Sequence, residues 1–324
     1  MLHLRLYCPE ESTSAVRAYL AAHDGVSSLA VLAGACVQPP GDVILADLTR
    51  DVANEVVDRL MELGVQHVGT VQMEPVPTWI SQRGFDTERA RHSGADAVVW
   101  SDVAQRAYDE SELNWTYTSF MVLATLIAGI AIILDSQILT IGAMVLGPEF
   151  GPIAALGLAL VRRRRRLLRV AARTLVVGFL VAIVATTAAT LLGRVLGWVT
   201  LADVTGPRPG TAFIYEPDKW SLLVAVIAAA AGVLSLTSAR TGGLSGVFIS
   251  VTTVPAAGNV ALGLAFGAWH EIWGSTLQLL INITGMTIAG WATLALQQAV
   301  WSHLKRPAAP LDERPTQGHA SLDA

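Results

Sequence analysis

Six long apolar stretches limit what this chain can fold into more than any other feature of its sequence. They cover about residues 115–134, 138–160, 172–197, 219–236, 243–267 and 272–299. Each has close to or more than the roughly 20 residues that a helix needs to cross the hydrocarbon core of a bilayer. With 52% hydrophobic and only 15% charged residues, the chain is predicted to be an α-helical membrane protein. Its six transmembrane helices would occupy residues 115–304.

The second and fifth of these stretches are broken by proline and glycine at similar places. The pentapeptide ALGLA follows Pro148 at Ala155–Ala159, and it follows Pro255 at Ala261–Ala265. This similarity indicates two halves of three spans each. Because three is an odd number, the second half would enter the membrane from the opposite side. We therefore predict a 3+3 inverted repeat with two Pro/Gly-broken spans, an arrangement that many transporters share.

Positive charge predicts the orientation of the spans, because Lys and Arg collect in short cytoplasmic loops. An inside N-terminus places the loop 135–137 outside, and this loop has no Lys or Arg. The next loop then lies inside and carries five consecutive arginines: Arg162, Arg163, Arg164, Arg165 and Arg166. We expect this run to fix the topology and to contact the headgroups of the lipid bilayer, each residue contributing on the order of 1 kcal/mol.

The first 75 residues differ from the rest of the chain in charge and in pattern. Residues 1–114 hold 8 Lys/Arg and 17 Asp/Glu, whereas the remainder holds 14 and 9. Alternation and helical spacing predict the order β-α-β-β-α-β, which is the ferredoxin-like, split βαβ plan. The predicted elements are Leu2–Tyr7, Glu11–Ala22, Val26–Cys36, Asp42–Leu48, Val52–Leu63 and Val65–Met73. Since many functions use this fold, this cytoplasmic domain is expected either to bind a small ligand or only to assemble subunits.

Residues 76–114 are predicted to connect the two domains. A polar stretch over residues 75–94 precedes Ala95–Leu113, which has the spacing of an amphipathic helix. Trp100 and Tyr108 place this helix either at the level of the lipid headgroups or against the soluble domain. The tail 305–324 contains three prolines and is predicted to be disordered.

The sequence also argues against several classes of protein. The N-terminus lacks the basic leader and the apolar core of a signal peptide. We therefore expect a multi-pass protein of the bacterial cytoplasmic (inner) membrane with both termini in the cytoplasm. Cys8 and Cys36 are expected to be free thiols. No metal-binding, nucleotide-binding or catalytic motif stands out, so we expect no metal, no cofactor, no enzymatic activity and no nucleic-acid partner.

Glu149 is a charged residue in the middle of the second apolar stretch, between Pro148 and Pro152. An ionisable group inside a bilayer costs about 2.5–3.5 kcal/mol on insertion scales, so Glu149 is expected to face a cavity or a partner. It is predicted either to bind a proton or cation, or to be a protonated acid that hydrogen-bonds to the broken backbone. Asp135, at the outer end of the first span, is interpreted as a solvated loop residue.

Uncharged polar residues of the second half are the other candidates. Asn259 lies in the region analogous to Glu149, and Asn282 shares a polar stripe of the sixth span with Gln278 and Thr284. Broken spans leave backbone groups that protein, water or a bound solute must satisfy. The candidate substrate or ion site comprises Glu149, Pro148, Pro152, Thr252, Thr253, Pro255, Asn259 and Asn282. Alternatively, proline and glycine only kink these helices for close packing.

Several strings of the sequence resemble a bacterial and archaeal membrane family known as domain of unknown function 389. They are the AGI…LDS…IGAM…GP…GPI pattern between Ser119 and Leu160, and the later AAGVLSLTSAR and LLINITGMTIAGW. The resemblance covers roughly Val98 to Trp291 and implies a multi-span membrane protein, without supplying a substrate or catalytic residues. The chain departs from the family's pattern at Ala256, where a second proline is usual, and at Glu149, where an apolar residue is usual.

These observations favour a transporter or channel-like protein for a small solute or ion, with its site where the second and fifth spans break. The alternative is a structural or sensory membrane scaffold. Its spans would only pack, and its cytoplasmic domain would assemble subunits or bind a small ligand. Spans rich in small residues, which allow close helix contact, and a domain suited to pairing also predict a homo-oligomer.

Overall fold

The computed structural model describes residues 1–76, 78–90, 98–214, 219–237 and 252–304. These residues form a mostly helical protein with a small antiparallel sheet at its N-terminal end. The predicted tail 305–324 and the first part of the fifth predicted span, residues 243–251, lie outside the described ranges.

The N-terminal sheet follows from the strict alternation of its first strand. Leu2, Leu4 and Leu6 are buried, and the residues between them are partly exposed. The elements are β1 Leu2–Cys8, α1 Glu10–Ala21, β2 Val26–Val37, β3 Pro40–Leu48, α2 Ala53–Glu62, α3 Val65–Val68 and β4 Thr70–Pro75. The strand order is β2-β3-β1-β4, and every neighbouring pair is antiparallel. Apart from the extra helix α3, this is the predicted order of elements.

The prediction of one strand over Val65–Met73 is wrong in its first half. Gly64 is left-handed, with φ 75°, and the short helix α3 follows it with Val65 buried in the domain core. Only Thr70–Pro75 forms a strand, which pairs with β1. Alternation over four residues does not distinguish one turn of helix from a strand.

The remainder of the described chain is helical. Within the predicted connector lie α4 Gln82–Ala90, in the stretch expected to be only polar linker, and α5 Trp100–Glu110. They are followed by α6 Trp115–Ile133, α7 Gln137–Leu146, α8 Phe150–Val161, α9 Arg165–Val195, α10 Leu201–Thr205, a 3₁₀ turn Ala212–Ile214, α11 Lys219–Thr237, α12 Thr253–Phe266 and α13 Trp269–Leu304. Each predicted apolar stretch overlaps at least one of these helices.

Three helices in the described ranges are long and apolar enough to cross a membrane, namely α6, α9 and α13. The helices α7 and α8 meet the same criterion only as a pair, bent by 55° at the break between them. The described apolar parts of α11 and α12 are shorter. By length and composition the described part of the chain therefore holds three or four candidate membrane spans, and six spans remain a prediction.

The outer surfaces of the long helices are apolar. On α9, Val176, Leu180 and Val184 are each more than half exposed, while Leu175 and Phe179 are buried against neighbouring helices. Exposed tryptophans stand at or near the ends of several helices, which is typical of residues at a membrane–water interface: Trp115, Trp198, Trp220 and Trp269. Apolar surface of this extent is rare on soluble monomers and indicates a membrane protein.

The two halves of the apolar region have matching helix neighbours. In the first half α6 contacts α9, and in the second half α11 contacts α13. Likewise α8 lies against α9 and α12 lies against α13. Contacts between the halves match in part: α8 packs on α13 and α12 packs on α9, but α12 also packs closely on α6, whereas α8 and the described part of α11 make only a small contact.

The helix α5 joins the sheet domain to the apolar helices. Its buried residues Val103, Ala104 and Ala107 belong to a cluster with side chains of α8 and α9. At its start, Asn54 of α2 accepts a hydrogen bond from the Trp100 amide at 2.9 Å and donates one to the Val98 carbonyl at 2.7 Å. Packing of α5 on α8 and α9 is a contact that neither of the two predicted placements included.

Candidate functional site

The break between α7 and α8 is built by three residues. Gly147 ends α7 in an extended conformation, with φ −68° and ψ 126°. Pro148 has no amide to donate, and Glu149 precedes the first residue of α8, its carbonyl accepting from Ile153 N at 3.2 Å. The chain therefore leaves one helix and enters the next within three residues, with the 55° bend between them.

The Glu149 carboxyl group is almost completely buried, with 7% of the residue exposed. Its Oε1 accepts a hydrogen bond of 2.6 Å from the hydroxyl of Thr253, the first residue of α12. Its Oε2 has no hydrogen-bond partner among the described residues. A Cβ atom at Gly147 would collide with Oε2 and lie 2.7 Å from Val254 Cγ2. A glycine at 147 therefore allows the carboxyl group to lie beside the first turn of α12.

A second set of polar side chains lies between the start of α12 and α13. Asn282 Nδ2 donates to Thr252 Oγ1 at 3.0 Å, and Gln278 Nε2 donates to the same hydroxyl oxygen at 3.3 Å. All three residues are buried. Thr252 precedes α12, yet its hydroxyl faces these amides and makes no capping bond to the described part of α12.

A buried ion pair extends the polar contacts beyond Asn259. Arg208 Nη2 donates to Glu271 Oε2 at 2.8 Å, and Arg208 Nη1 donates to Asn259 Oδ1 at 3.1 Å. Asn259 Nδ2 in turn donates to Glu271 Oε2 at 2.7 Å and to Ser275 Oγ at 2.8 Å. Asn259 and Ser275 have no exposed surface. This cluster satisfies a charge pair that is costly to bury without such partners.

One face of α13 connects the two sets. Glu271, Ser275, Gln278 and Asn282 are separated by four, three and four residues, which places them along one side of a helix. All four are buried. Together with the start of α12 and with Glu149, they form a polar stripe inside an otherwise apolar helix bundle, and we call this set the polar stripe.

The structure brings most of the predicted site together. Glu149, Thr253, Thr252 and Asn282 lie around the start of α12, while Asn259 belongs to the Arg208 cluster. The prolines do not correspond as the sequence indicates. Pro148 precedes α8, whereas Pro255 is the third residue of α12; the third residue of α8 is Pro152. Thr284, which was predicted to share the polar stripe of the sixth span, is exposed.

Two polar residues in the loops between helices make buried or specific contacts that were not predicted. Asp135 is more than a solvated loop acid, because its carboxylate accepts from Gly210 N at 3.1 Å and from Thr211 Oγ1 at 2.9 Å. Arg208 lies in the segment between the third and fourth predicted spans, yet it is 5% exposed. Sequence reasoning missed Arg208, Glu271 and Ser275 as members of the site. The spacing of Glu271 and Ser275 before Gln278 was the available signal for two of them.

The five arginines run from the end of α8 into the first turn of α9, and all five are exposed. Arg162 follows the end of α8, and its guanidinium lies 5.3 Å from the centre of the Trp100 ring. Arg163 has φ 51°, Arg164 precedes α9, and Arg165 and Arg166 begin that helix. The helix of the third predicted span thus begins at Arg165, seven residues before the predicted start of the span at residue 172. Arg and Leu have a high helix propensity, so the helix extends through them.

Among the described residues, no group of three His, Cys, Asp or Glu side chains is arranged to hold a metal ion. Cys8 and Cys36 are both buried free thiols. The chemistry available at the polar stripe is that of two carboxyl groups (Glu149 and Glu271), hydroxyls, amides and helix ends.

Comparison with known proteins agrees with the resemblance found in the sequence. Residues 144–288 match the model of a family described as Domain of unknown function (DUF389). Among curated proteins, an uncharacterized protein of the archaeon Methanocaldococcus jannaschii is 22% identical over 238 residues, which are 73% of this chain and 70% of that protein. No solved structure matches the chain. Residues 144–288, which match the family model, contain Glu149, Arg208, α12 and all four residues of the polar face of α13.

Proposed function

We propose that this chain, which carries the domain of unknown function 389, is a transporter or channel-like membrane protein for a small solute or ion. The observation that carries the proposal is the polar stripe, which runs along α13 from Glu271 to Asn282 and continues to Glu149 at the helix break. Polar and ionisable groups inside a membrane domain are expensive, and they commonly mark the path of a solute.

The matching helix contacts of the two halves support the 3+3 inverted repeat as part of this proposal. In the repeat, α6, α8 and α9 of the first half would correspond to α11, α12 and α13 of the second half. The contact between α6 and α9 then corresponds to that between α11 and α13, and the contact between α8 and α13 corresponds to that between α12 and α9. In such transporters the site lies where the repeats meet and is formed by interrupted helices. Here α8 and α12 both begin at the polar stripe, as that arrangement requires.

We further propose that the protein lies in the bacterial cytoplasmic membrane, with the sheet domain and the arginine run facing the cytoplasm. The exposed arginines support this orientation, because positive residues in short loops are retained inside. A homo-oligomer is proposed through the sheet domain, whose edge strand β2 carries the exposed apolar residues Leu32 and Val37. No catalytic step is part of the proposal.

A sensory scaffold is the second candidate function, and the position of α5 supports it. This helix connects α2 of the sheet domain with α8, so a ligand on the domain has a direct mechanical route to the helix break. The same contact serves as a gate in a transporter. Transport activity therefore separates the two functions, since a scaffold moves no solute.

The test is reconstitution of the full chain and of Glu149→Gln in liposomes, followed by flux measurements for a panel of ions and small neutral solutes. We expect the wild type to move at least one of them and the Glu149→Gln variant to change that flux about tenfold or more, since Glu149 lies at the site. Glu11→Gln removes a carboxylate from the exposed side of α1 and is the matched control. Equal fluxes in wild type and Glu149→Gln would remove Glu149 from the mechanism. No flux above empty liposomes in any sample would favour the scaffold.

A further inference from the structure

We propose that the start of α12 is a binding site for a small inorganic or carboxylate anion, and that the Glu149 carboxylate occupies it as a tethered anion. This inference rests on the proposed function and names the class of solute. It goes beyond the prediction of a proton or cation site at Glu149. Four features of the described residues carry it.

The first feature is the end of α12 that faces Glu149. The N-terminus of a helix has unpaired amides and a partial positive charge, both of which favour an anion. α12 has 14 residues, and its first two, Thr253 and Val254, lie beside the Glu149 carboxyl group. A cation at this place would be repelled by the same helix end.

The second feature is that this helix start lacks an ordinary cap. The usual cap is a side-chain oxygen of the residue before the helix. Here that residue is Thr252, and its hydroxyl accepts hydrogen bonds from Gln278 and Asn282 instead. Within the described chain, the carboxyl group of a residue 104 positions away is what stands at the end of α12.

The third feature is the donor set. The Thr253 hydroxyl donates to Glu149 Oε1 at 2.6 Å, as it would donate to a bound anion. The Gln278 and Asn282 amides point donors toward the adjacent Thr252 hydroxyl. Among the described residues, the side chain bonded to the carboxyl group is thus a donor, and the amides around the adjacent residue also present N–H groups, which suits an anion better than the oxygen ligands that a hard cation prefers.

The fourth feature is the imperfect fit of Glu149 itself. Its Oε2 is buried and has no hydrogen-bond partner in the described part of the chain. A buried acceptor without a donor is costly. A free anion of better shape competes with such a carboxylate on favourable terms, provided that Glu149 leaves the site.

The experiment measures anion binding to the full chain in detergent, by calorimetry and by the ligand-dependent shift of the unfolding temperature. The probes are sodium nitrate, sodium chloride and sodium formate, each compared with sodium gluconate at equal ionic strength. We expect Glu149→Ala to bind one of the small anions about tenfold more tightly than the wild type, since one competing charge at a helix end is worth roughly that factor. Adding Thr253→Val to Glu149→Ala is expected to weaken the new binding.

The control variant is Glu11→Gln, which is expected to bind like the wild type. If Glu149→Ala does not fold, Glu149→Gln decides the matter, because it removes the charge and keeps the shape; we expect it to bind anions more tightly than the wild type. The proposal is overturned if no Glu149 variant gains anion affinity. It is also overturned if sodium or potassium stabilises the wild type specifically and Glu149→Gln loses that effect.

The binding experiment tests the anion site and the flux experiment tests transport, so the two proposals can be contradicted independently. Anion binding without flux in liposomes leaves the anion site standing and contradicts the proposed transport. Flux of a cation or a neutral solute without anion binding leaves transport standing and contradicts the anion site.

Discussion

Arg208 and Glu271 form an ion pair whose side chains are only 5% and 9% exposed. Burying such a pair gives little net stability, because the lost hydration of both charges offsets their attraction. Removing one partner is different, since the other charge then stays buried without compensation. Asn259 is tied to both residues, so the three side chains are expected to respond to substitution as one unit.

The first prediction at this scale is that Glu271→Gln destabilises the protein by about 3–5 kcal/mol, the range found when a buried pair loses one partner. The double variant Glu271→Gln with Arg208→Met is expected to recover part of that loss, because it leaves no uncompensated charge. Unfolding of the four proteins by denaturant in one detergent gives the double-mutant cycle. Additive effects in the cycle would mean that the two residues do not interact energetically.

The second prediction concerns Glu110 at the end of α5. Its side chain as a whole is exposed, but the carboxylate lies against α8, where a Cβ on Gly151 would be 2.7 Å from Glu110 Oε2. The resulting desolvation raises the pKa of Glu110 above its ordinary value of 4.5, with Asp109 raising it further and Arg106 opposing. The folded protein therefore binds this proton more tightly than the unfolded chain does. Stability from Glu110 is greatest below pH 4.5 and falls as the pH rises through the raised pKa.

Glu110→Gln is accordingly expected to unfold at a higher temperature than the wild type at pH 7, and at the same temperature near pH 4. Thermal unfolding in detergent between pH 4 and pH 8 measures this difference. Glu112→Gln removes a charge from an exposed residue two positions away and is the control. A Glu110→Gln difference that is constant across the pH range would contradict the assignment to this carboxyl group.

The sequence alone predicted Glu149, at the centre of the candidate site, but not Arg208 at its periphery. Glu149 stands out because a carboxyl group in an apolar stretch has few tolerable environments. Arg208 does not stand out, because it sits in a polar segment where solvent exposure is the ordinary outcome. Its burial depends on Asn259 and Glu271, which are 51 and 63 residues away. Contacts at such separations are set by tertiary packing, which local pattern does not contain.

At the scale of elements, α5 depends on one side chain of another helix. Asn54 of α2 makes hydrogen bonds to both Val98 and Trp100, so it takes the place of the missing side-chain cap at the start of α5. Asn54→Ala is expected to cost about 1 kcal/mol, as the loss of a helix cap does. Hydrogen exchange should become faster in the first turn of α5 and stay unchanged in α13.

The control for this experiment is Gln66→Ala, which removes an exposed side chain bonded to Met61 in the same domain. In liposomes, Asn54→Ala is expected to change the flux of the wild-type solute if α5 couples the sheet domain to the break. Unchanged exchange at the start of α5 would show that Asn54 does not hold the helix. Faster exchange with unchanged flux would show that α5 does not gate transport.

Helices with a long, uniformly apolar sequence were predictable. Helix boundaries that depend on flanking residues, and very short helices, were not. The apolar length of α6 and α13 marks them as spans by itself. The start of α9 at Arg165 was not marked, because a helix extends past the membrane wherever residues such as Arg and Leu follow. The one-turn helix α3 and the connector helix α4 are too short for periodicity to define.

For the whole molecule, the inverted repeat predicts on which side of the membrane each loop lies. The proposed topology places residues near Ile138, Trp198 and Trp269 outside, and residues near Arg164 and Gln298 inside. All five side chains are exposed, so each position is suitable for a reporter. The natural cysteines, Cys8 and Cys36, are buried and free; they are replaced by alanine beforehand to give a background without reactive thiols.

Each of the five positions is then changed to cysteine in turn and exposed to a membrane-impermeant maleimide in intact cells. We expect cysteines at 138, 198 and 269 to react from outside, and cysteines at 164 and 298 to react only after permeabilisation. Because α9 separates residues 164 and 198, labelling of both from one side would mean that α9 does not cross the membrane. The inverted repeat places two spans, the fourth and the fifth, between residues 198 and 269, so both residues should lie on the same side. Labelling of these two residues from opposite sides would mean that an odd number of spans separates them, and this would contradict the inverted repeat. The five results together therefore decide whether α8 and α12 begin at one site from opposite sides, as transport through the polar stripe requires.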